Sequence, residues 1–103
     1  MSNLLIDFDR VIHRQKDGWQ EGEIYDEPTD FCKEALEILS KNYELKVFTA
    51  RPEKDFIKIR QYILENNLPM MEITNKKEGG IIIDDKCIRF TSWKDILNYF
   101  VEW

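Results

Sequence analysis

The stretch Leu4-Leu5-Ile6-Asp7-Phe8-Asp9 decides how the rest of this 103-residue chain is read. Three apolar residues run straight into two carboxylates one residue apart, and Val11 and Ile12 follow closely. A short continuous apolar run is what a strand buried on both faces looks like. Side chains alternate along a strand, so Asp7 and Asp9 share a side for as far as the extended geometry persists. Two acids at the end of a buried strand are costly unless a cation or a set of donors neutralises them. In open α/β sheets the carboxyl ends of strands are where ligands bind. A strand ending in a solvated, Asp-rich turn would read the same way, so the later strand ends decide between the two.

Composition narrows the field. The length suits one compact domain, 1–103, with a single modest core. An apolar content of 43% with 13% aromatics implies a folded globule rather than disorder. A net charge of −5 argues against broad nucleic-acid binding, since phosphate backbones reward basic surfaces; a nucleic acid then enters only as a substrate end. Cys32 and Cys87 are isolated, without metal-type spacing, and read as reduced thiols. His13 is the only histidine, which makes a Ser–His–Asp triad or a His-rich metal site difficult to build. There is no basic leader and no apolar run of membrane-spanning length, so the expectation is a soluble, cytoplasmic protein without a membrane partner.

Taken in order, residues 10–27 are polar, with Gly18, Gly22, Trp19, Ile24 and Tyr25 scattered among them. Such a length suits a flap over the strand end carrying a short hairpin or turn, or else a mobile surface loop. Pro28 suits the first turn of a helix whose apolar stripe is Phe31, Ala35, Ile38 and Leu39, with Lys41 and Asn42 at its exit. Leu45, Val47 and Phe48 form a strand ending in Thr49-Ala50-Arg51-Pro52. A second helix runs from about Glu53 to Asn66, stopped by Asn66-Asn67 and Pro69. Met70 to Ile73 is a short, weak strand, and residues 74–80 are a loop punctuated by Gly79-Gly80. Ile81-Ile82-Ile83 runs directly into Asp84-Asp85, and Ile88 with Phe90 suits a short edge strand. Ser92 with Asp95 three residues on forms a capping box for a last helix that buries Ile96, Leu97, Phe100 and Val101. This alternation implies a mainly parallel sheet in an α/β sandwich of the doubly wound kind.

In such a sheet the strand ends are neighbours in space. Asp7 and Asp9, Thr49, Lys76, and Asp84 with Asp85 would then meet at one rim. Carboxylates that close cannot all stay ionised without a counter-ion, and an all-oxygen site suits a hard cation such as Mg²⁺. The ordered set resembles the haloacid dehalogenase (HAD) superfamily: Asp-x-Asp-x-Val, a strand ending in Thr, a Lys, and an apolar strand ending in Asp-Asp. Each motif alone is weak, but the four occur in order over nearly the whole chain. The resemblance is closest to small capless members, and implies a three-layer Rossmann-like (HAD-like) sandwich with no cap domain.

Carried over by position, the resemblance implies an Mg²⁺-dependent phosphomonoester hydrolase acting through an aspartyl-phosphate. Asp7 would be the nucleophile. Asp9 would protonate the leaving oxygen and then deprotonate water, the second acid that phosphatases of the family keep. Thr49 and Lys76 would hold the phosphoryl group, with Lys77 competing for the lysine position. Mg²⁺ would sit between the Asp7 carboxylate, the Asp9 carbonyl and Asp85, with Asp84 contributing alongside. Ala50, Arg51 and Arg10 border the substrate position. Arg10 stands where the family most often has Gly, and either tolerates the turn or contacts an anion. Arg51 reads equally as a phosphate contact and as a surface salt bridge. Trp19, Tyr25 and His13 fall near the entrance, the two aromatic rings more naturally as packing over the sheet edge. The substrate would be a phosphorylated small molecule or the phosphorylated end of a larger one. The rivals are a phosphotransferase using the same intermediate, a phosphate-binding or regulatory module with little turnover, and an Mg²⁺-stabilised structural domain.

Overall fold

The structure is a computed structural model that describes residues 2–76, 81–84 and 88–103. Among these, five strands form one all-parallel sheet: β1 (Ser2–Asp7), β2 (Tyr43–Phe48), β3 (Glu72–Thr74), β4 (Ile81–Asp84) and β5 (Ile88–Arg89), in the order β3-β2-β1-β4-β5. Three α-helices accompany them: α1 (Cys32–Leu39), α2 (Phe56–Glu65, entered through a 3₁₀ turn at Glu53–Asp55) and α3 (Trp93–Phe100). This is the expected α/β class, with a sheet that is wholly rather than mainly parallel. No helix among the described residues is long and apolar enough to cross a membrane.

β1 is central because its residues can be buried on both sides. Leu4 and Ile6 join the main apolar cluster, while Leu5, pointing to the opposite face, is equally shielded from solvent. On the cluster side Val47, Ile73 and Ile83 continue the layer across the sheet, and Ala35, Leu36, Leu39, Ile96 and Leu97 close over it from α1 and α3. Those two helices pack against each other.

The helix ends follow local chemistry, with one correction. α1 was expected to begin around Pro28 but begins at Cys32. Pro28 is instead bridged to His13, and Thr29 gives its N–H to the Ile12 carbonyl (3.0 Å), so both belong to the base of the 10–27 segment. Phe31, in the left-handed region at φ 65°, then turns the chain into the helix. At the end of α2, Asn67 (φ 55°) takes the left-handed position that closes a helix, and Leu68 N–H reaches back to the Ile63 carbonyl (3.0 Å). Ser92 Oγ accepts from Asp95 N–H (3.1 Å), the cap expected for α3. β3 lies slightly later than the expected 70–73, and β5 is a two-residue edge strand.

Thr29 ties α3 to the chain that follows β1. Its hydroxyl donates to the Val11 carbonyl (2.6 Å) and accepts from Nε1 of the buried Trp93 (2.8 Å). Thr29→Val keeps the shape but strands a buried indole N–H and a carbonyl. It is expected to lower unfolding free energy by about 1–3 kcal/mol in urea titrations. Cys32 is buried, which pushes its thiol up to about 12 despite bonds toward Thr29 and Trp93. The folded protein should therefore leave Cys32 unalkylated by iodoacetamide at pH 8, and urea should expose it.

Candidate active site

Register alone brings the first and last acidic strand ends together. Leu4, Leu5 and Ile6 lie beside Ile81, Ile82 and Ile83, so Asp7 and Asp84 each follow the last paired residue of the two strands. On the other flank Asp7 pairs with Phe48, which places Thr49 one step beyond. Thr49 is buried; its N–H donates to the Thr74 carbonyl (3.0 Å) and its Oγ1 accepts from Arg51 N–H (3.1 Å). The neighbouring strand repeats the device, with Thr74 Oγ1 accepting from Lys76 N–H (3.1 Å). Thus the residue that follows β2 and the last residue of β3 are both threonines whose hydroxyls hold the turn that comes next. Ala50 is exposed at this rim. Lys76 is exposed at the end of an edge strand, two strands from β1 and so about 10 Å across the sheet. Lys77 and Asp85 lie outside the described residues, as does the side chain of Asp84.

Asp9 does not continue the strand. β1 ends at Asp7, and the chain turns so that Ile12 and His13 N–H both donate to the Phe8 carbonyl (3.0 and 2.9 Å). The turn needs Arg10 in the left-handed region (φ 70°), its N–H donating to the His13 carbonyl (2.8 Å). Arg10 therefore takes up the backbone conformation that glycine adopts without strain, with its side chain exposed. Arg10→Gly should be neutral or stabilising, by up to about 1 kcal/mol in thermal or urea unfolding.

The redirected Asp9 carboxylate meets Arg51. Arg51 Nε donates to Asp9 Oδ2 (2.9 Å) and Nη2 to Oδ1 (3.0 Å), a two-pronged pair joining residues 42 apart in sequence. Arg51 is only 3% exposed, and its remaining reach is spent on the Gly22 carbonyl (2.6 Å from Nη1) and on Asp55 (3.5 Å). Trp19 covers the guanidinium at 4.8 Å from its ring centroid, with the Phe8 ring 5.9 Å away. Arg51 is thus neither a surface ion pair nor a side chain projecting into solvent.

His13 holds the other side of Asp9. Its Nε2 accepts from both Tyr25 and Asp26 N–H (3.3 and 3.2 Å), so the ring proton belongs on Nδ1, which donates to Asp9 Oδ1 (3.0 Å). The ring is buried against Phe8, Tyr25 and Tyr62. Burial raises the Asp9 carboxyl, but the bonds from His13 and Arg51 and the Arg51 charge outweigh it and hold the group below its usual range. The buried Arg51, correspondingly, is disfavoured by desolvation yet raised overall by Asp9 and Asp55.

Together these bonds make residues 10–27 a closed flap. Its base is paired through Arg14 N–H and the Glu27 carbonyl (3.0 Å), and its interior is held to Asp9 through Arg51 and His13. Gly22 (φ 84°) presents its carbonyl to Arg51 in a conformation that side chains disfavour. Backbone bonds from Arg14 N–H to the Glu27 carbonyl and from Thr29 N–H to the Ile12 carbonyl pair the two ends of this stretch. The roles of His13, Gly22 and Asp55 were not visible in sequence, although the spacing of four between Asp9 and His13 is a usable signal.

Among the described residues, no three His, Cys, Asp or Glu side chains gather into a metal-binding group. The chemistry of the donors nonetheless fits a hard cation: a carboxylate at Asp7, a backbone oxygen at Asp9, and the acidic end of β4 beside them. Arg51 and His13 engage only the Asp9 side chain, a commitment compatible with metal ligation by its carbonyl. No family model, curated protein or solved structure matches this chain.

Arg51→Met would leave Asp9, a partly buried carboxylate, with only the bond from His13 Nδ1. Asp9 keeps 22% of its side chain exposed, so the expected loss is about 2 kcal/mol, less than for a fully buried pair. The pH dependence has a definite sign. A carboxyl lowered in the native state contributes stability that is complete above its ordinary value of 3.8 and is lost as pH falls through the lower native value. Acid titrations followed by circular dichroism should show a smaller loss below pH 4 in Arg51→Met than in wild type.

Proposed function

We propose that the chain is an Mg²⁺-dependent phosphomonoester hydrolase of HAD type, built as a capless three-layer Rossmann-like sandwich. The observation that carries the reading is the register of β1 with β4 and β2, in which Asp7 and Asp84 each follow the last β1–β4 pair and Thr49 follows Phe48, the partner of Asp7. That is the position where open parallel sheets bind ligands. Asp7, the Asp9 carbonyl, Asp84 and Asp85 would hold the ion. When bound, it supplies the positive charge that lets an anionic carboxylate approach an anionic phosphoryl group.

In this reading an Asp7 oxygen bonds to phosphorus while the ester oxygen leaves with a proton from Asp9. Water then attacks phosphorus and returns its proton to Asp9. The Asp7 O–P bond breaks, releasing inorganic phosphate. Thr49 and Lys76 hold the phosphoryl oxygens, and Arg10 borders the open mouth. The pair with Arg51 adds a condition: the Asp9 carboxyl must part from the guanidinium before it can carry a proton, so transfer is coupled to release of the flap.

A second reading, a phosphate-binding or regulatory module of the same fold, is favoured by that same engagement of Asp9, which is the reverse of what a poised proton donor needs. Hydrolysis of an aryl phosphate separates the two. The enzyme reading expects turnover that requires Mg²⁺ and is abolished by chelation. Asp7→Asn should lower kcat by about a thousandfold or more, and Asp9→Asn by about 10²–10⁴-fold. Full activity in Asp7→Asn would remove the nucleophile and the mechanism with it. Phosphate binding without turnover in wild type would favour the module.

A further inference from the structure

The flap and the start of α2 enclose a depression of about 390 Å³, within the size range of small-molecule sites, lined by Trp19, Glu21, Gly22, Pro52, Lys54, Asp55 and Lys58. Arg51 links it toward the candidate catalytic rim: its guanidinium lies over Trp19 and pairs with Asp9, two residues past Asp7. Three features give the depression a chemical character. Trp19 is 59% exposed, an expensive position for an indole, yet its ring is backed by a guanidinium that is itself almost wholly buried. Its flap is anchored next door, through the bond from Arg51 to the Gly22 carbonyl. Lys54 and Lys58, four residues apart and both exposed, line the same space. Asp55 is already paired with Arg51, so the lining sets two lysines against Glu21.

A flat aromatic surface beside two ammonium groups suits a ligand with a planar ring and an anionic group. Resting on the hydrolase reading above, we propose that this depression is the leaving-group subsite and that the substrate is a nucleotide unit carrying a second phosphate. The base stacks on Trp19, the phosphate that is not cleaved lies by Lys54 and Lys58, and the scissile phosphate reaches Asp7. Stacking on an aromatic platform tolerates any base, because every base has a π face. A free nucleoside bisphosphate and the phosphorylated end of a strand share this chemistry. The acidic surface of the chain, at net charge −5, favours the small ligand over a long strand.

Binding to the Asp7→Asn protein in the presence of Mg²⁺ tests the subsite without turnover. In calorimetric titrations, adenosine 3′,5′-bisphosphate should bind at least about tenfold more tightly than ribose 5-phosphate. Trp19→Leu should erase that preference and Trp19→Phe should largely restore it, which separates stacking from damage to the flap. Lys58→Ala should weaken the bisphosphate while leaving AMP nearly unchanged. A 5′-phosphorylated dinucleotide that binds more tightly than the bisphosphate assigns the subsite to strand ends, and the reverse assigns it to free nucleotides. Equal binding of ribose 5-phosphate and the bisphosphate, no binding of either at millimolar concentration, or a preference that survives Trp19→Leu would overturn the proposal. Aryl-phosphate turnover with no base preference would leave the hydrolase standing and the subsite fallen. Base-dependent binding in a chain that hydrolyses nothing would do the opposite.

Discussion

The pairing of Asp9 with Arg51 is the interaction on which the upper half of the molecule depends. A carboxylate held at the end of a buried strand must find positive charge, and here it finds a guanidinium from the next strand end, 42 residues away. That guanidinium is in turn roofed by Trp19 and bonded to the Gly22 carbonyl, so one ion pair joins β1, β2 and the flap. His13 repeats the arrangement on the other side, passing from Asp9 to the backbone of Tyr25 and Asp26. Removing either end of the pair unmakes more than a salt bridge.

The sheet below supplies rigidity of a different kind. β1 has strands on both flanks, and its Leu4, Leu5 and Ile6 meet no solvent on either face, so the height at which Asp7 emerges is set by the register with β2 and β4. Thr49, just past β2, and Thr74, the end of β3, then fix their turns through Oγ1, placing Thr49 and Lys76 along the same rim. Rigid strand ends carry one part of the site and a tethered flap carries the other. In the proposed hydrolase this division would matter, because a phosphoryl group needs fixed donors while its leaving group needs a way in and out.

Much of this was legible in the sequence wherever a signal is local. The apolar runs Leu4–Ile6 and Ile81–Ile83 marked the central strands, and Ser92 with Asp95 marked the start of α3. α1 was misjudged because Pro28 and Thr29, good helix starters by themselves, are claimed by long-range pairing with His13, Ile12 and Val11. β3 is only three residues long, and its neighbours Pro69 to Met71 carry no pattern that separates strand from connector. The partnership of Arg51 and the burial of His13 were invisible for the same reason: a contact across 42 residues leaves no periodicity. The gathering of Asp7, Thr49 and the β4 end could be read because topology, rather than any single side chain, brings strand ends together.

The closed base of the flap also makes the chain permissive at one point. Arg14 and Glu27 are bonded side by side, and the tethers to Asp9 leave from Trp19, Gly22, Tyr25 and Asp26. Gly18 carries none of these tethers, although its carbonyl accepts from the Tyr25 hydroxyl (2.8 Å), and an added Cβ there would meet nothing within 4 Å. Lengthening a loop whose ends are already held costs only about 0.6 kcal/mol per doubling. At the cost of the bond to Tyr25, an accessory module could be spliced in at Gly18 while the strands that carry the acids stay undisturbed.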